Sequence, residues 1–192
     1  MVMYSRCMSG SLEITRFGNP VLRKKAKLLT DVAIKSKKVQ KLILQMHQNL
    51  SDNKHGVGLA APQIGKSIAL SVIDIKPTDA RPNLKSFSTV FINPEIIEVY
   101  EPKSPKWEGC ISCGTGDDTL FAKVPRYSKV KLSWIDADLK HHVKVLGGFL
   151  AHVAQHEVDH LNGVLFTDRV EDKTSYMMID EYYKRVVSKR KK

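Results

Sequence analysis

The residues best suited to chemistry lie at positions 155–160, which read Q-H-E-V-D-H. If this segment is helical, His156 and His160 lie one turn apart on one face, so both imidazole rings can bind one metal ion. Glu157 then lies at the flank of the site, where a carboxylate can take a proton from metal-bound water without becoming a ligand. The alternative is a solvated helix face that happens to carry two histidines. The pattern predicts a metal site.

A catalytic metal site needs a third protein ligand, because open sites usually combine three protein ligands with water. Cys110 is the best candidate, since it is bracketed by glycine and small residues and its thiolate adds charge to otherwise neutral ligands. Cys113 raises an alternative, in which two cysteines and two histidines close a tetrahedral structural zinc site. A redox dithiol is a further alternative, although the strand–helix context of such motifs is missing.

The elements that must position these residues are predicted to be short strands and a few helices. Residues 13–30 read as extended chain and turns, and residues 31–51 as one amphipathic helix that Asp31 could cap. Gly147-Gly148 opens the metal helix and Asn162-Gly163 closes it. A last amphipathic helix is expected from about Thr174. Strands are predicted at residues 67–75, 89–92, 95–100, 119–124, 129–135, 142–145 and 164–166.

Composition indicates a single globular domain spanning residues 1–192. The chain is 42% hydrophobic, and no internal repeat or linker interrupts it. No apolar run approaches the length of about 18 residues that a membrane span needs, so no membrane partner is expected. The N-terminus lacks the apolar core of a signal peptide, and three unevenly placed cysteines suggest a reducing compartment. We therefore expect a cytoplasmic protein.

The chain is strongly basic, with 31 basic and 20 acidic residues and a formal charge of +11. Such a surface attracts polyanions, although charge alone does not distinguish polyanion binding from general solubility. The basic residues cluster in two places, at residues 23–27 and in the last nine residues.

Three segments resemble the motifs of peptide deformylases and occur in that family's order. They are Gly56-x-Gly58-Leu59-Ala60-Ala61-Pro62-Gln63, Glu108-Gly109-Cys110-Ile111-Ser112 and Gln155-His156-Glu157-x-Asp159-His160. Residues 14–23 and 124–126 are also similar, so the resemblance covers roughly residues 13–170. One motif alone is weak support, whereas three in order are highly specific.

The resemblance implies an α+β fold, with antiparallel strands packed around a central metal-binding helix and a C-terminal helix. Residues 1–12 would be an N-terminal extension and residues 185–192 a basic tail. The implied reaction removes the formyl group from the N-terminal formyl-methionine of nascent polypeptides. The implied cofactor is one divalent ion, Fe(II) in vivo, with Zn, Ni or Co able to occupy the site. A monomer is expected.

The resemblance also implies roles for single residues. Cys110, His156 and His160 would hold the metal, and Glu157 would take the proton of its water and later protonate the departing amine. The amide of Gln63 and the backbone N–H of Ile111 would stabilise the oxyanion.

Substrate binding is expected at the glycine-rich segment. The backbone of Gly56, Val57 and Gly58 would pair with the substrate as an added strand, and Val57 would form one wall of the methionine pocket. Glu108 and Arg126 would form an ion pair that supports the site. Asp159 would orient the helix through Arg169, whereas His152 is expected to be a packed or supporting group.

The sequence departs from the family at residues 113–118, which form a longer and more acidic segment than usual. That segment would border the downstream residues of the substrate. Two other functions remain alternatives: a zincin-type endopeptidase with the same helix motif, and a non-enzymatic protein that binds ribosome or RNA. For the basic tail, we expect docking on ribosomal RNA near the exit tunnel, with a steep salt dependence.

Overall fold

The structure is a computed structural model that describes residues 12–52, 56–77, 83–114 and 116–188. Apart from its last residue, the N-terminal extension predicted at residues 1–12 lies outside this part of the chain. The basic tail predicted at residues 185–192 lies within it only as far as residue 188. Over the described ranges, no helix has the length and apolar character needed to cross a bilayer.

A six-stranded antiparallel sheet organises the described residues, in the order β1-β2-β3-β4-β5, with β6 paired to β4. The strands are β1 Gly58–Ala60, β2 Leu70–Ile75, β3 Phe87–Gly109, β4 Leu120–Ile135, β5 His141–Gly147 and β6 Met177–Met178. Together with the helices below, this sheet confirms the predicted α+β class.

Alternate residues of β2 pack on opposite faces of the sheet. Leu70 and Val72 contact the helix α2 (Lys37–Asp52), whereas Ile73 and Ile75 belong to the cluster around the helix α3 (Gly148–Leu161). A strand that is buried on both faces reads as a nearly continuous apolar run. The sheet therefore separates two layers, and α3 lies in one of them.

Two long strands replace the shorter strands that the sequence predicts. The predicted strands at residues 89–92 and 95–100 both belong to β3, because bulges absorb the residues that break the pattern. Asn93 adopts a φ of 50° at the first irregularity, and its side-chain amide bonds the backbone N–H and C=O of Leu29. The strands predicted at 119–124 and 129–135 likewise join as β4.

The helix predicted over residues 31–51 is broken once. It consists of α1 (Asp31–Lys35) and α2, separated at Ser36, whose ψ of 142° is extended. Thr30, and not Asp31, provides the cap, since its hydroxyl accepts a hydrogen bond from Ala33 N–H at 3.3 Å.

The helix α3 is buried on most of its circumference. It begins beside Gly148 and ends at Asn162-Gly163, as predicted, and Gly163 has a φ of 72°. A Cβ at Gly163 would lie 2.6 Å from the carbonyl oxygen of Arg23, so only glycine fits there. Polar side chains on a buried helix must find partners inside the protein. The buried polar residues of α3 are His152, Gln155, Glu157, Asp159 and His160.

The chain after α3 differs from the prediction in two places. The strand predicted at 164–166 is absent from this described segment, which instead forms a short helical turn at Phe166–Arg169 with Phe166 buried. The last α-helix, α4, begins at Ile179 and not near Thr174, and it continues as helical turns over Tyr183–Val187. Tyr182 anchors it by stacking on Phe121, with ring centroids 4.3 Å apart.

Candidate metal centre

Three side chains from two distant segments converge at one end of α3. Cys110 follows the last residue of β3, and His156 and His160 lie on α3. Their nearest ligand atoms all lie within 4.8 Å of one another. The Sγ of Cys110 is 3.3 Å from Nε2 of His160, and the two histidine Nε2 atoms are 3.2 Å apart.

These separations fit a divalent transition metal ion. Bonds of about 2.3 Å to sulfur and about 2.0–2.1 Å to nitrogen in a tetrahedral site put the donor atoms roughly 3.3–3.5 Å apart. Cys110 and His160 are buried, and both a thiolate and imidazole nitrogens suit iron, zinc, nickel and cobalt. The set therefore has the chemistry and the spacing of three metal ligands.

Glu108 fixes one of these histidines from behind. Its Oε2 accepts hydrogen bonds from Nδ1 of His156 at 2.9 Å and from Nη2 of Arg126 at 3.0 Å. Its Oε1 accepts from Nε of Arg126 and from Nε2 of His152, both at 2.6 Å. Burial alone would raise the pKa of Glu108, but the hydrogen bonds from the two histidines and Arg126 hold that pKa well below its usual range. Because Nδ1 of His156 is engaged, its Nε2 points towards Cys110 and His160.

A buried chain of charges extends from Glu108 to the surface. Arg126 also donates from Nη1 to Asp159 at 2.6 Å, so it bridges two carboxylates. Arg169 donates from Nη2 to the other oxygen of Asp159 at 2.8 Å, which confirms the predicted contact between these residues. Arg126, Glu108 and Asp159 are all buried, so each charge depends on the others for compensation.

Glu157 lies beside the cluster and directly under β1. A Cβ built on Gly58 would lie 2.2 Å from Oε1 of Glu157, so the carboxylate occupies the space that any other residue at position 58 would need. Burial raises the pKa of Glu157 to about 7, against the opposing effect of the two histidines. Its Oε2 is buried and has no hydrogen-bond partner among the residues that the structure describes.

Gln63 holds its amide against the cysteine. The residue lies in the short helical turn Ala61–Ile64, and its Oε1 accepts a hydrogen bond from Ala60 N–H at 2.8 Å. That bond fixes the amide orientation, and Nε2 then lies 3.4 Å from Sγ of Cys110 and 3.3 Å from Oγ of Ser112. Ser112 belongs to the second family-like motif, but its sequence position predicts no chemical role for it.

The turn that carries Cys110 is set by close packing. A Cβ at Gly109 would lie 2.8 Å from the ring of Phe121, so glycine is needed where β3 ends. The following turn, Ile111–Cys113, begins with a residue that is partly exposed, and Cys113 N–H donates to Cys110 C=O at 2.8 Å. The backbone of Ile111 is thus adjacent to the cysteine.

The glycine-rich segment leads into an edge strand. Gly56 is partly buried, and Val57 packs against the apolar cluster that includes Val153 of α3. The carbonyl oxygen of Val57 accepts a hydrogen bond from Asp74 N–H at 3.1 Å, on the side of β2. Within the ranges that the structure describes, no strand pairs with the other side of β1.

Cys113 and His152 lie close to the cluster without joining it. In the described part of the chain, the group of potential metal ligands contains Cys110, His156 and His160 only. Cys113 packs against the apolar cluster of Phe166 and Val170. Cys110 and Cys113 are free thiols. His152 instead bonds Glu108, and the only sequence signal for it is its position one helical turn before His156.

An α+β fold in which a cysteine at the end of a strand meets two histidines of the central helix defines a class of hydrolases with a metal centre. The chain belongs to the polypeptide deformylase family, whose sequence profile matches residues 11–176. Enzymes of this family remove the N-formyl group from nascent peptides.

Individual relatives support this assignment. A peptide deformylase from Leptospira biflexa is 35% identical over 161 residues, which cover 83% of this chain and 87% of that protein. One from Lactobacillus gasseri is 38% identical over 180 residues, covering 88% of this chain and 95% of that protein.

Solved structures agree with these relatives. The crystal structure of a class I type b peptide deformylase from Acinetobacter baumannii, bound to Met-Ala-Ser, has a TM-score of 0.77 and 30% identity, with coverage of 85% of this chain and 100% of that one. The peptide deformylase of Thermotoga maritima gives a TM-score of 0.70 and 34% identity, with coverage of 85% and 99%.

Proposed function

We propose that this chain hydrolyses the formamide bond of N-terminal formyl-methionine at a single metal ion held by Cys110, His156 and His160. The observation that carries this proposal is the convergence of their three donor atoms within 4.8 Å. When bound, such an ion acidifies a water molecule and polarises a carbonyl oxygen. We propose Fe(II) as the ion in vivo, with Zn, Ni or Co as substitutes, because mixed sulfur and nitrogen ligation suits all of them.

Glu157 is proposed as the general base and acid. Its Oε2, which has no partner within the described ranges, would accept the proton of the attacking water and then give it to the departing amine. A base is most effective when its pKa lies near the working pH, and burial raises the pKa of Glu157 to about 7. The carboxylate lies directly against Gly58, since a Cβ at that position would lie 2.2 Å from its Oε1.

Gln63 and Ile111 are proposed to stabilise the oxyanion. Donors of this kind contribute most when they are fixed before the reaction begins. The bond from Ala60 N–H holds the amide of Gln63 in one orientation, with its N–H₂ group directed at the cysteine and Ser112. The backbone N–H of Ile111 belongs to the residue after Cys110, so it would reach the same oxygen from a second direction.

The substrate is proposed to pair with β1. Among the described residues β1 pairs with β2 alone, which supports the addition of a peptide strand along its other edge, beside Gly56, Val57 and Gly58. Val57 would form one wall of the methionine pocket, because it packs against the cluster that includes Val153. The Met-Ala-Ser bound in the Acinetobacter baumannii relative supports methionine as the first residue.

Glu108 and Arg126 are proposed as structural support for His156, on the basis of their buried hydrogen bonds. Docking of residues 185–192 on ribosomal RNA stays a prediction, as do the cytoplasmic location and the monomeric state. Within the described part of that tail, Arg185 pairs with Glu181 at 2.5 Å, which neutralises some of its charge.

Formate release separates this proposal from its alternatives. Anaerobic, metal-replete protein should release formate from formyl-Met-Ala-Ser and should leave acetyl-Met-Ala-Ser and internal peptide bonds intact. The variant Glu157→Gln should lower kcat by about 100-fold or more while retaining its metal. Cleavage of an internal bond would favour the endopeptidase alternative, and the absence of formate would favour the non-enzymatic one.

A further inference from the structure

We propose that His152 is a positioning residue for the metal centre and that it acts on His156 through the carboxylate of Glu108. The inference rests on the proposed function, because it assumes that His156 is a metal ligand. His152 is 8% exposed and lies one helical turn before His156 on α3. Its Nε2 lies 2.6 Å from Oε1 of Glu108.

The donors to Glu108 are divided evenly between its two oxygens. Oε1 accepts hydrogen bonds from Nε2 of His152 and Nε of Arg126. Oε2 accepts hydrogen bonds from Nδ1 of His156 and Nη2 of Arg126. Arg126 thus bonds both oxygens as a fork, through Nε and Nη2, while its Nη1 bonds Asp159 at 2.6 Å. His152 adds a second donor to Oε1, and this donor comes from α3, the helix that also carries His156 and His160.

The consequence for His156 follows from geometry. The two histidines bond different oxygens of one buried carboxylate, so a rotation of that carboxylate moves the acceptor of Nδ1 of His156. Groups that orient a metal-ligating histidine usually change metal affinity or activity when they are removed. The ring of Phe149 packs edge-on against His152, with centroids 6.1 Å apart, and limits the positions that His152 can adopt.

Three substitutions of His152, compared with one control elsewhere, distinguish a positioning role of this residue from a packing role. H152L keeps an apolar side chain of similar size but removes the donor, whereas H152Q places an amide N–H near the original Nε2. H152N remains polar but is too short to reach Glu108, so it replaces H152L if that variant does not fold. H142L is the matched control, because His142 also bonds a carboxylate, that of Asp136 at 2.8 Å, on the strand β5.

The measurement is zinc affinity by chelator competition, together with the visible spectrum of the cobalt-loaded protein and the separate values of kcat and KM. We expect H152L to bind zinc about tenfold more weakly, with a shifted cobalt spectrum, a lower kcat and an unchanged KM. H152Q should recover most of the affinity and the spectrum, and H142L should match the parent in all of these.

Two results overturn the inference alone: parental zinc affinity and spectrum in H152L, or equal losses in H152L and H152Q. In both cases the parent still binds zinc through Cys110, and the proposed function stands. If the parent binds no zinc at Cys110, His156 and His160, the proposed function and this inference both fail.

Discussion

Gly58 and Glu157 share one small space: a Cβ on Gly58 would lie 2.2 Å from Oε1 of Glu157 and 2.7 Å from the carboxyl carbon. The glycine therefore leaves open the space that the carboxylate of Glu157 occupies. Gly58 belongs to the first sequence motif, on β1, and Glu157 to the third, on α3, so the two motifs are in contact here.

Gly58→Ala should displace the carboxylate of Glu157 and lower kcat by about 100-fold, because general acid–base catalysis depends on that position. The metal content should not change, because the displaced side chain, Glu157, is not one of the three clustered ligand residues. Formate release and elemental analysis measure the two effects. Gly147→Ala is the matched control, because its Cβ would meet only Lys129 at 3.7 Å. Equal activity in both variants would contradict this role of Gly58.

Gln63→Ala should reduce kcat by a hundredfold or more, equivalent to about 3 kcal/mol, because it removes one donor to the developing oxyanion. KM should change much less than kcat. Gln40→Ala is a suitable control, since it removes another side-chain amide donor, away from the cluster. The amide of Gln40 donates to the carbonyl oxygens of Ile34 at 2.9 Å and Ala137 at 3.2 Å. A rise in KM at constant kcat would assign Gln63 to substrate binding instead.

Arg126→Met should lower the free energy of unfolding by about 3–5 kcal/mol, because it leaves the buried carboxylates of Glu108 and Asp159 without their shared cation. Arg169→Met should cost about 1 kcal/mol or less, since the side chain of Arg169 is 50% exposed. Urea unfolding of both proteins at the same metal loading provides the comparison. Similar losses of unfolding free energy in the two variants would show that burial does not determine how much each arginine contributes to stability.

Cys113→Ser should retain one metal ion per chain and its formate release, since Cys113 is not among the clustered ligand atoms of the described residues. Cys110→Ser should lose the metal. Loss of metal and unfolding in Cys113→Ser would instead indicate the closed four-ligand zinc site.

The sequence predicts best what depends on local spacing. His156 and His160 converge because four residues make one helical turn, and Asn162-Gly163 ends that helix as expected. The choice of Cys110 came from ligand chemistry and from the resemblance, and the structure brings its sulfur to 3.3 Å from His160.

Long-range contacts account for most of the differences between the predicted elements and the observed ones. Asn93-Pro94 reads as a strand end. Pairing with β2 does stop at Ile92, but pairing with β4 resumes at Glu95 and carries β3 onward, and the bond to Leu29 compensates the irregular backbone. The link from His152 to Glu108 spans 44 positions in the sequence, so no local pattern could reveal it. The break at Ser36 is equally invisible to periodicity, because apolar spacing continues across it.

The most direct test measures formate release from formyl-Met-Ala-Ser as a function of metal bound per chain, in one anaerobic preparation. We expect no formate from the metal-free protein, a linear rise with occupancy, and saturation at one ion per chain, with neither metal binding nor formate in Cys110→Ser. Formate release that does not depend on metal, or full occupancy with no formate, would contradict a deformylase centred on Cys110, His156 and His160.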